Sequence, residues 1–510
     1  MKKTILTAPI KLSLIGLLLN LTFISQSRAA STSDALIDKL EQKGVLTAAE
    51  AKELRAESEA EDTNLVNQLP AAKWKLADSI KSIGLFGDVR LRYEYRGVDN
   101  PGPVSGASGD TYRRERFRYA LRVGMRGDLT DNFNYGLRLE TSANPRSPWV
   151  TFADDTGKSS TSPLSGTPSD KSSDGINVGQ IFIGWKPQAW YEMTVGKMPM
   201  PLYTTPMVWD TDINPEGAFE KFKYSVGDFD WFADFGQFDY QDPTAASAFP
   251  SSDTFVLAWQ LGGVLNLNRD MWFKMAPVLY SYTGLGNPPA AGATPNPNSP
   301  YFPFVGQGNT NGLNGAYNQA GINDLLVLDV PLEFDFKIHN TPLGTLQARL
   351  FGDFAYNFYG DDRAREAFKT GGPVAFPGLS SAATGQDKAY QVGFGIGSEG
   401  PVYGPAQGLV YGTTSKKNTW EARFYWQHIE QYALDVNLID SDFFEGRGNL
   451  EGFYSAFAYG ITDAIIGTVR YGYATPIEGN LGTGGSNLDI PGINPIRNYN
   501  LVQMDLTWRF

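Results

Sequence analysis

From Ile83 to the carboxyl terminus, runs in which apolar and polar residues alternate recur along the chain. Val89, Leu91, Tyr93 and Tyr95 alternate with Asp88, Arg90, Arg92, Glu94 and Arg96. Phe117, Tyr119, Leu121, Val123 and Met125 alternate with Arg116, Arg118, Arg122 and Arg126, and Phe133, Tyr135, Leu137 and Leu139 with Asn134, Gly136, Arg138 and Glu140. A period of two is the signature of a strand with one apolar face. At the far end, Val502, Met504, Leu506, Trp508 and Phe510 share one face, and Gln503, Asp505, Thr507 and Arg509 the other, up to the final carboxylate. A strand of about ten such residues, tilted about 45°, reaches across a bilayer.

Further strands are expected near 176–186, 190–197, 218–224, 229–240, 253–267, 271–282, 324–338, 345–358, 388–397, 418–430, 449–459 and 464–474. With the first three and the last, that makes sixteen, although 176–186 and 218–224 alternate poorly. Short turns such as Asp128 to Asn132, Lys186 to Ala189 and Gly460 to Asp463 alternate with long polar connections such as Ser142 to Gly175, Met198 to Gly217 and Ala433 to Gly448. Transmembrane barrels show this rhythm, with short periplasmic turns and long outer loops. Ser398 to Lys417 breaks it, being long where a short turn is due; a hairpin hidden there would raise the count to eighteen. The fold class is therefore all-β, a transmembrane antiparallel barrel over 83–510. A soluble barrel would invert the two faces, and periodicity alone does not separate the cases. Aromatics near strand ends (Tyr93 and Tyr95, Trp272 and Tyr282, Tyr356 and Phe358) favour a membrane girdle.

Ahead of the barrel the pattern differs. Lys2, Lys3 and Lys11, an apolar run from Leu12 to Ile24 and Ser27-Arg28-Ala29 read as a secretory leader over 1–29, cleaved after Ala29. Residues 30–82 are a periplasmic segment. Leu36, Ile37 and Leu40 share a helical face before the stop at Gly44, and Thr47 to Glu50 caps a second helix. A small helical hairpin is expected, followed by a linker.

Composition narrows the function. The net charge is −12, and −16 once Lys2, Lys3, Lys11 and Arg28 leave with the leader, which argues against a nucleic-acid binder. Cysteine is absent and there are 2 histidines, His339 and His428, too few for a His-rich metal site; no metal or cofactor is expected. Neither histidine has a nucleophile signature nearby, which argues against a hydrolase. Ten arginines and no lysine lie between Asp88 and Glu140. If the aromatic face meets lipid, Arg90, Arg92, Arg116, Arg118, Arg122 and Arg138 line the lumen and create a positive wall.

Taken together, the chain resembles a general outer-membrane porin, and in particular the family catalogued as putative porins of Gram-negative bacteria. The resemblance rests on Ala35 to Leu40 with Gly44 to Thr47, on Gly84 to Glu94, on Val195-Gly196-Lys197 with Val208-Trp209-Asp210, and on Trp508-Arg509-Phe510. It implies a passive diffusion channel for small hydrophilic solutes and ions in the bacterial outer membrane, assembled as a homotrimer. The closing Trp508 and Phe510 resemble the sorting signal of such barrels, which implies the barrel assembly machinery, outer-membrane lipid and lipopolysaccharide as partners. In general porins the third outer loop narrows the barrel. Here that loop holds Asp210, Asp212 and Glu216, which would face the arginines across a constriction. In a second reading the arginines pair with Asp88, Glu94, Glu115 and Glu140 as a structural lattice. The alternative function is a structural barrel that anchors the envelope through its helical preface.

Overall fold

The computed structural model describes residues 77, 79–99, 111–142, 147–152, 175–241, 254–283, 325–365, 368, 380–398, 416–483 and 496–510. The leader with Ala29, the helical hairpin and the linker as far as residue 76 lie outside the described residues.

Each alternating segment forms a strand: β1 (Gly84–Asp99), β2 (Thr111–Asp128), β3 (Phe133–Thr141), β4 (Ile176–Gln188), β5 (Tyr191–Lys197), β6 (Glu216–Val226), β7 (Phe229–Gln241) and β8 (Thr254–Asn268). They continue as β9 (Met271–Met275 and Val278–Tyr282), β10 (Leu326–Asp329 and Leu332–Thr341), β11 (Gly344–Asn357), β12 (Lys388–Ser398), β13 (Trp420–Ile429), β14 (Leu450–Gly460), β15 (Ile465–Pro476) and β16 (Asn498–Arg509). Every strand pairs antiparallel with its neighbours in the chain. β1 pairs with β16 from Asp88↔Arg509 to Asp99↔Asn498, closing a barrel of 16 strands. Closure leaves no sheet edge, the condition for crossing a bilayer with strands.

The interruptions have a local cause. Pro277 breaks β9 and Pro331 breaks β10, because proline cannot donate to the ladder. Their carbonyls remain in use: Leu261 N–H donates to Pro277 O at 3.0 Å and Ala276 N–H to Pro331 O at 3.1 Å. β12 pairs directly with β13, from Ala389↔Ile429 to Gly397↔Glu421, so no hairpin intervenes and the count is sixteen rather than eighteen.

The two faces are sorted opposite to a soluble barrel. On β2, Phe117, Leu121, Val123 and Met125 are exposed while Arg116 and Arg122 are buried. On β16, Met504 and Trp508 are exposed while Gln503, Asp505 and Thr507 are buried. The apolar face points outward into the bilayer and the charged face points into the lumen. Part of the lumen is filled. Leu202, Met207 and Trp209 from the β5–β6 connection, and Leu434, Val436, Leu438, Ile439, Phe443 and Phe444 from the β13–β14 connection, form one apolar core with Phe219 and Phe238 of the wall.

Candidate pore and constriction

The connection between β5 and β6 (198–215) is the third outer loop, L3. Its Met, Leu, Val and Trp residues gain by leaving water, and the barrel interior is where they can do so. Polar tethers fix its path. Tyr203 N–H donates to Gln260 Oε1 at 2.9 Å, and Gln260 Nε2 donates to Tyr203 O at 2.7 Å. Thr204 Oγ1 donates to Asp329 Oδ2 at 3.5 Å, and Thr205 Oγ1 to Asp353.

A second loop, the seventh (L7, 430–449), folds in beside it. Asp440 N–H donates to Pro206 O at 2.9 Å, and Ser441 donates to Asp210 Oδ2 from its N–H at 3.1 Å and its Oγ at 2.9 Å. Asp210 is thus the knot between the two loops and is itself buried. Burial, with the nearby Asp212 and Asp440 charges, holds its carboxyl well above the usual range.

Opposite the loops stands the arginine wall. Within it, Arg90 pairs with Asp88 at 2.6 Å and Arg138 with Glu140 at 2.8 Å. Glu94, fully buried, gathers Arg96 at 3.0 Å, Arg118 at 3.7 Å and Arg116. Asp505 bridges Arg92 at 2.8 Å and Arg470. Arg92 stacks on Trp149, its Cζ 3.9 Å from the ring centroid. Trp149 is carried there by the two-residue strand Val150–Thr151, which pairs with β2 at Tyr119 and Arg118. Ion pairs cross from wall to loops: Arg122 with Asp212 of L3, Arg92 with Asp442 of L7 at 2.7 Å, and Arg96 with Glu445 of L7 at 3.3 Å and Asp442 at 3.8 Å.

Between them lies a cavity of about 120 Å3 lined by Arg90, Arg92, Arg423, Arg470 and Arg509, by Asp212, Asp440, Asp442 and Asp505, and by Trp149, Tyr425 and Tyr454. Guanidinium groups come from the wall, and three of the four carboxylates from the loops. Burial and the neighbouring Asp442 charge push Asp440 up to about 7, against the backbone N–H groups of Asp442 and Phe443 that it accepts from. Burial would raise Asp442 as well, but Arg92 and Arg96 outweigh it, and it lies at about 2.

The sequence-predicted residues divide accordingly. Arg90, Arg92 and Asp212 meet at the cavity. Arg116, Arg118, Arg122 and Arg138 face the lumen in the paired lattice around it. Asp210 ties loop to loop. Glu216 begins β6 and pairs with Lys197 at 2.9 Å, its side chain 61 % exposed, and it does not line the cavity. Glu115 sits on the exposed side of β2 and accepts from Tyr93 Oη at 3.3 Å. Trp508 and Phe510 meet at a tilt on the outer face, centroids 5.4 Å apart. Sequence reasoning missed L7, Trp149 and the lumen-facing Arg423, Arg470 and Arg509. Strand parity on β13, β15 and β16 carries the arginines, and the apolar run from Tyr432 to Phe444 marks L7 as something other than a polar outer loop.

The family model described as "Putative porin" matches residues 98–510, nearly all of the described barrel. The chain belongs to this family. It is an outer-membrane porin, a channel in the bacterial outer membrane. No curated protein matches the sequence. Among solved structures, it is similar to the anion-selective porin from Comamonas acidovorans at 10 % identity, covering 84 % of this chain and 99 % of that one with a TM-score of 0.38. It is also similar to an engineered porin from Rhodopseudomonas blastica (9 % identity, 84 % and 100 % covered, TM-score 0.37) and to OmpT, an outer membrane protein of Vibrio cholerae (9 %, 85 % and 100 %, TM-score 0.36).

Proposed function

We propose that this porin passes small hydrophilic solutes and ions passively through the space between the arginine wall and the two inward loops, and that these opposed charges set its ion selectivity. The observation that carries the proposal is the cavity with five arginines on the wall side and Asp212, Asp440 and Asp442 on the loop side. Charges fixed on opposite walls of a narrow passage create a transverse field that solutes must cross. Passage needs no chemistry, and the site is read as a filter rather than a catalytic centre. We further propose a homotrimer delivered by the barrel assembly machinery through its Trp508–Phe510 end and surrounded by lipopolysaccharide. Family membership supports this part; cross-linking of the outer-membrane protein tests it.

Single-channel conductance in a planar bilayer, under a salt gradient, tests the filter. Discrete steps with an anion-leaning reversal potential support control by the arginines. Cation-leaning steps transfer control to the loop carboxylates. Folded barrels that give no steps overturn the proposal and leave the anchoring function.

A further inference from the structure

L7 presents its carboxylates from an unusual piece of backbone. Phe444, Glu445 and Gly446 follow one another with φ of 55°, 55° and 62°. Three successive left-handed residues, two of them with side chains, form a turn that L-amino acids disfavour and that persists only where its surroundings force it. The surroundings here are ionic and fully buried. Glu445 accepts from Arg447 Nε at 3.1 Å and Nη2 at 3.0 Å, and from Arg96 Nη1 of β1 at 3.3 Å. Arg447 Nη1 also donates to Thr483 O at 2.8 Å.

The turn is tied to the constriction through its own backbone. Gly446 N–H donates to Asp440 O at 3.0 Å, closing residues 440–446 into one unit. Arg96 donates to Tyr499 Oη at 2.9 Å, and that hydroxyl donates to Asp442 O at 3.4 Å. Glu445 itself does not line the cavity. On the opposite side the Phe443 ring sits over Gly472 of β15, where a Cβ would come within 2.6 Å of it.

We infer that Glu445 is a positioning residue for ion selection: clamped between Arg96 and Arg447, it locks the left-handed turn that holds Asp440 and Asp442 against the arginine wall. This rests on the constriction proposed above and adds a buried control point outside it. Breaking the clamp lets the turn relax and the two carboxylates withdraw, so the channel becomes more anion-selective and more conductive.

The test is a double-mutant cycle read in planar bilayers. Glu445→Gln keeps the shape of the side chain and removes its charge. Gly472→Val reaches the same loop from the other side by displacing Phe443, and serves where Glu445→Gln fails to assemble. Asp440→Asn with Asp442→Asn is the control. Glu445→Gln is expected to raise the anion-to-cation permeability ratio by roughly two- to threefold, the scale of one charge acting across several ångströms of water. It is also expected to raise conductance and to leave the control substitutions with little further effect when combined, since coupled sites are non-additive. A control that shifts the ratio while Glu445→Gln and Gly472→Val leave it unchanged overturns the inference alone. So does a Glu445→Gln shift that adds fully to that of the control. A silent control overturns the constriction reading and the inference with it.

Discussion

Arg90 is the wall arginine whose removal is easiest to quantify. Its side chain is 26 % exposed, against 3 % for Arg92, and its partner Asp88 lies 2.6 Å away. Arg90→Gln keeps a hydrogen-bonding group and removes one positive charge from the lining. A unit charge about 5 Å from the path of an ion interacts with it by ~0.8 kcal/mol in water. At 0.1 M salt, where the Debye length is about 10 Å, roughly 0.5 kcal/mol of that survives. An anion loses this attraction and a cation loses the matching repulsion. The permeability ratio therefore moves toward cations by about 1 kcal/mol, or roughly fivefold. At 1 M salt a Debye length of about 3 Å leaves ~0.15 kcal/mol per ion, and the change falls below about twofold. Reversal potentials of wild type and Arg90→Gln at both salt concentrations are the assay. An unchanged ratio at 0.1 M, or equal changes at both concentrations, would mean that Arg90 and Asp88 act as a neutral pair and that the wall is lattice rather than filter.

Three further outcomes follow from the same geometry. Asp440 loses its charge as pH falls through about 7, so the anion-to-cation ratio should rise between pH 8 and pH 6, and Asp440→Asn should abolish that dependence. Met207 is fully buried in the L3 core, and Met207→Ala should cost about 2–5 kcal/mol of packing, seen as larger and noisier single-channel openings. Barrel closure depends on Gly87, whose N–H and C=O exchange bonds with Phe510 at 3.0 and 3.1 Å and whose missing Cβ leaves room for the Phe510 ring, 2.5 Å from where that atom would lie. Gly87→Val should cost about 1–3 kcal/mol and lower the temperature at which the barrel loses its compact mobility in detergent gels.

Alternation, with the short–long rhythm of the connections, placed the sixteen strands, because a barrel wall exposes every residue either to lipid or to the interior and so leaves the period of two largely unmasked. The weak segments had local causes. On β4 the register slips opposite Arg138 and Leu139, and a bulge of this kind breaks the period. On β6 charged residues stand among its apolar ones, Glu220 accepting from Tyr191 Oη at 3.4 Å. β1 and β2 run further than the alternation indicated, to Asp99 and from Thr111, since their ends pair with each other rather than with anything an apolar pattern would mark.

The constriction was legible only in part, and the reason is topological. Arg90, Arg92 and Asp212 could be placed from strand parity and loop order. Asp440, Asp442 and their supporting turn could not, because an apolar loop has meaning only when the surface it covers is known. That surface is the inner wall together with L3. Val256, Val278, Val327, Phe351 and Tyr425 belong to one apolar core with Leu202, Met207 and Leu438. The charges that face the loops at the constriction include Arg92, Arg122 and Arg470, projecting from β1, β2 and β15. One division of labour accounts for core and constriction. The apolar core holds the loops in place by burial. The charged constriction, faced by those loops, acts on the permeating ion, and its effect fades as salt rises. Substitutions in the core should change how often the channel is intact, and substitutions in the constriction which ions it passes.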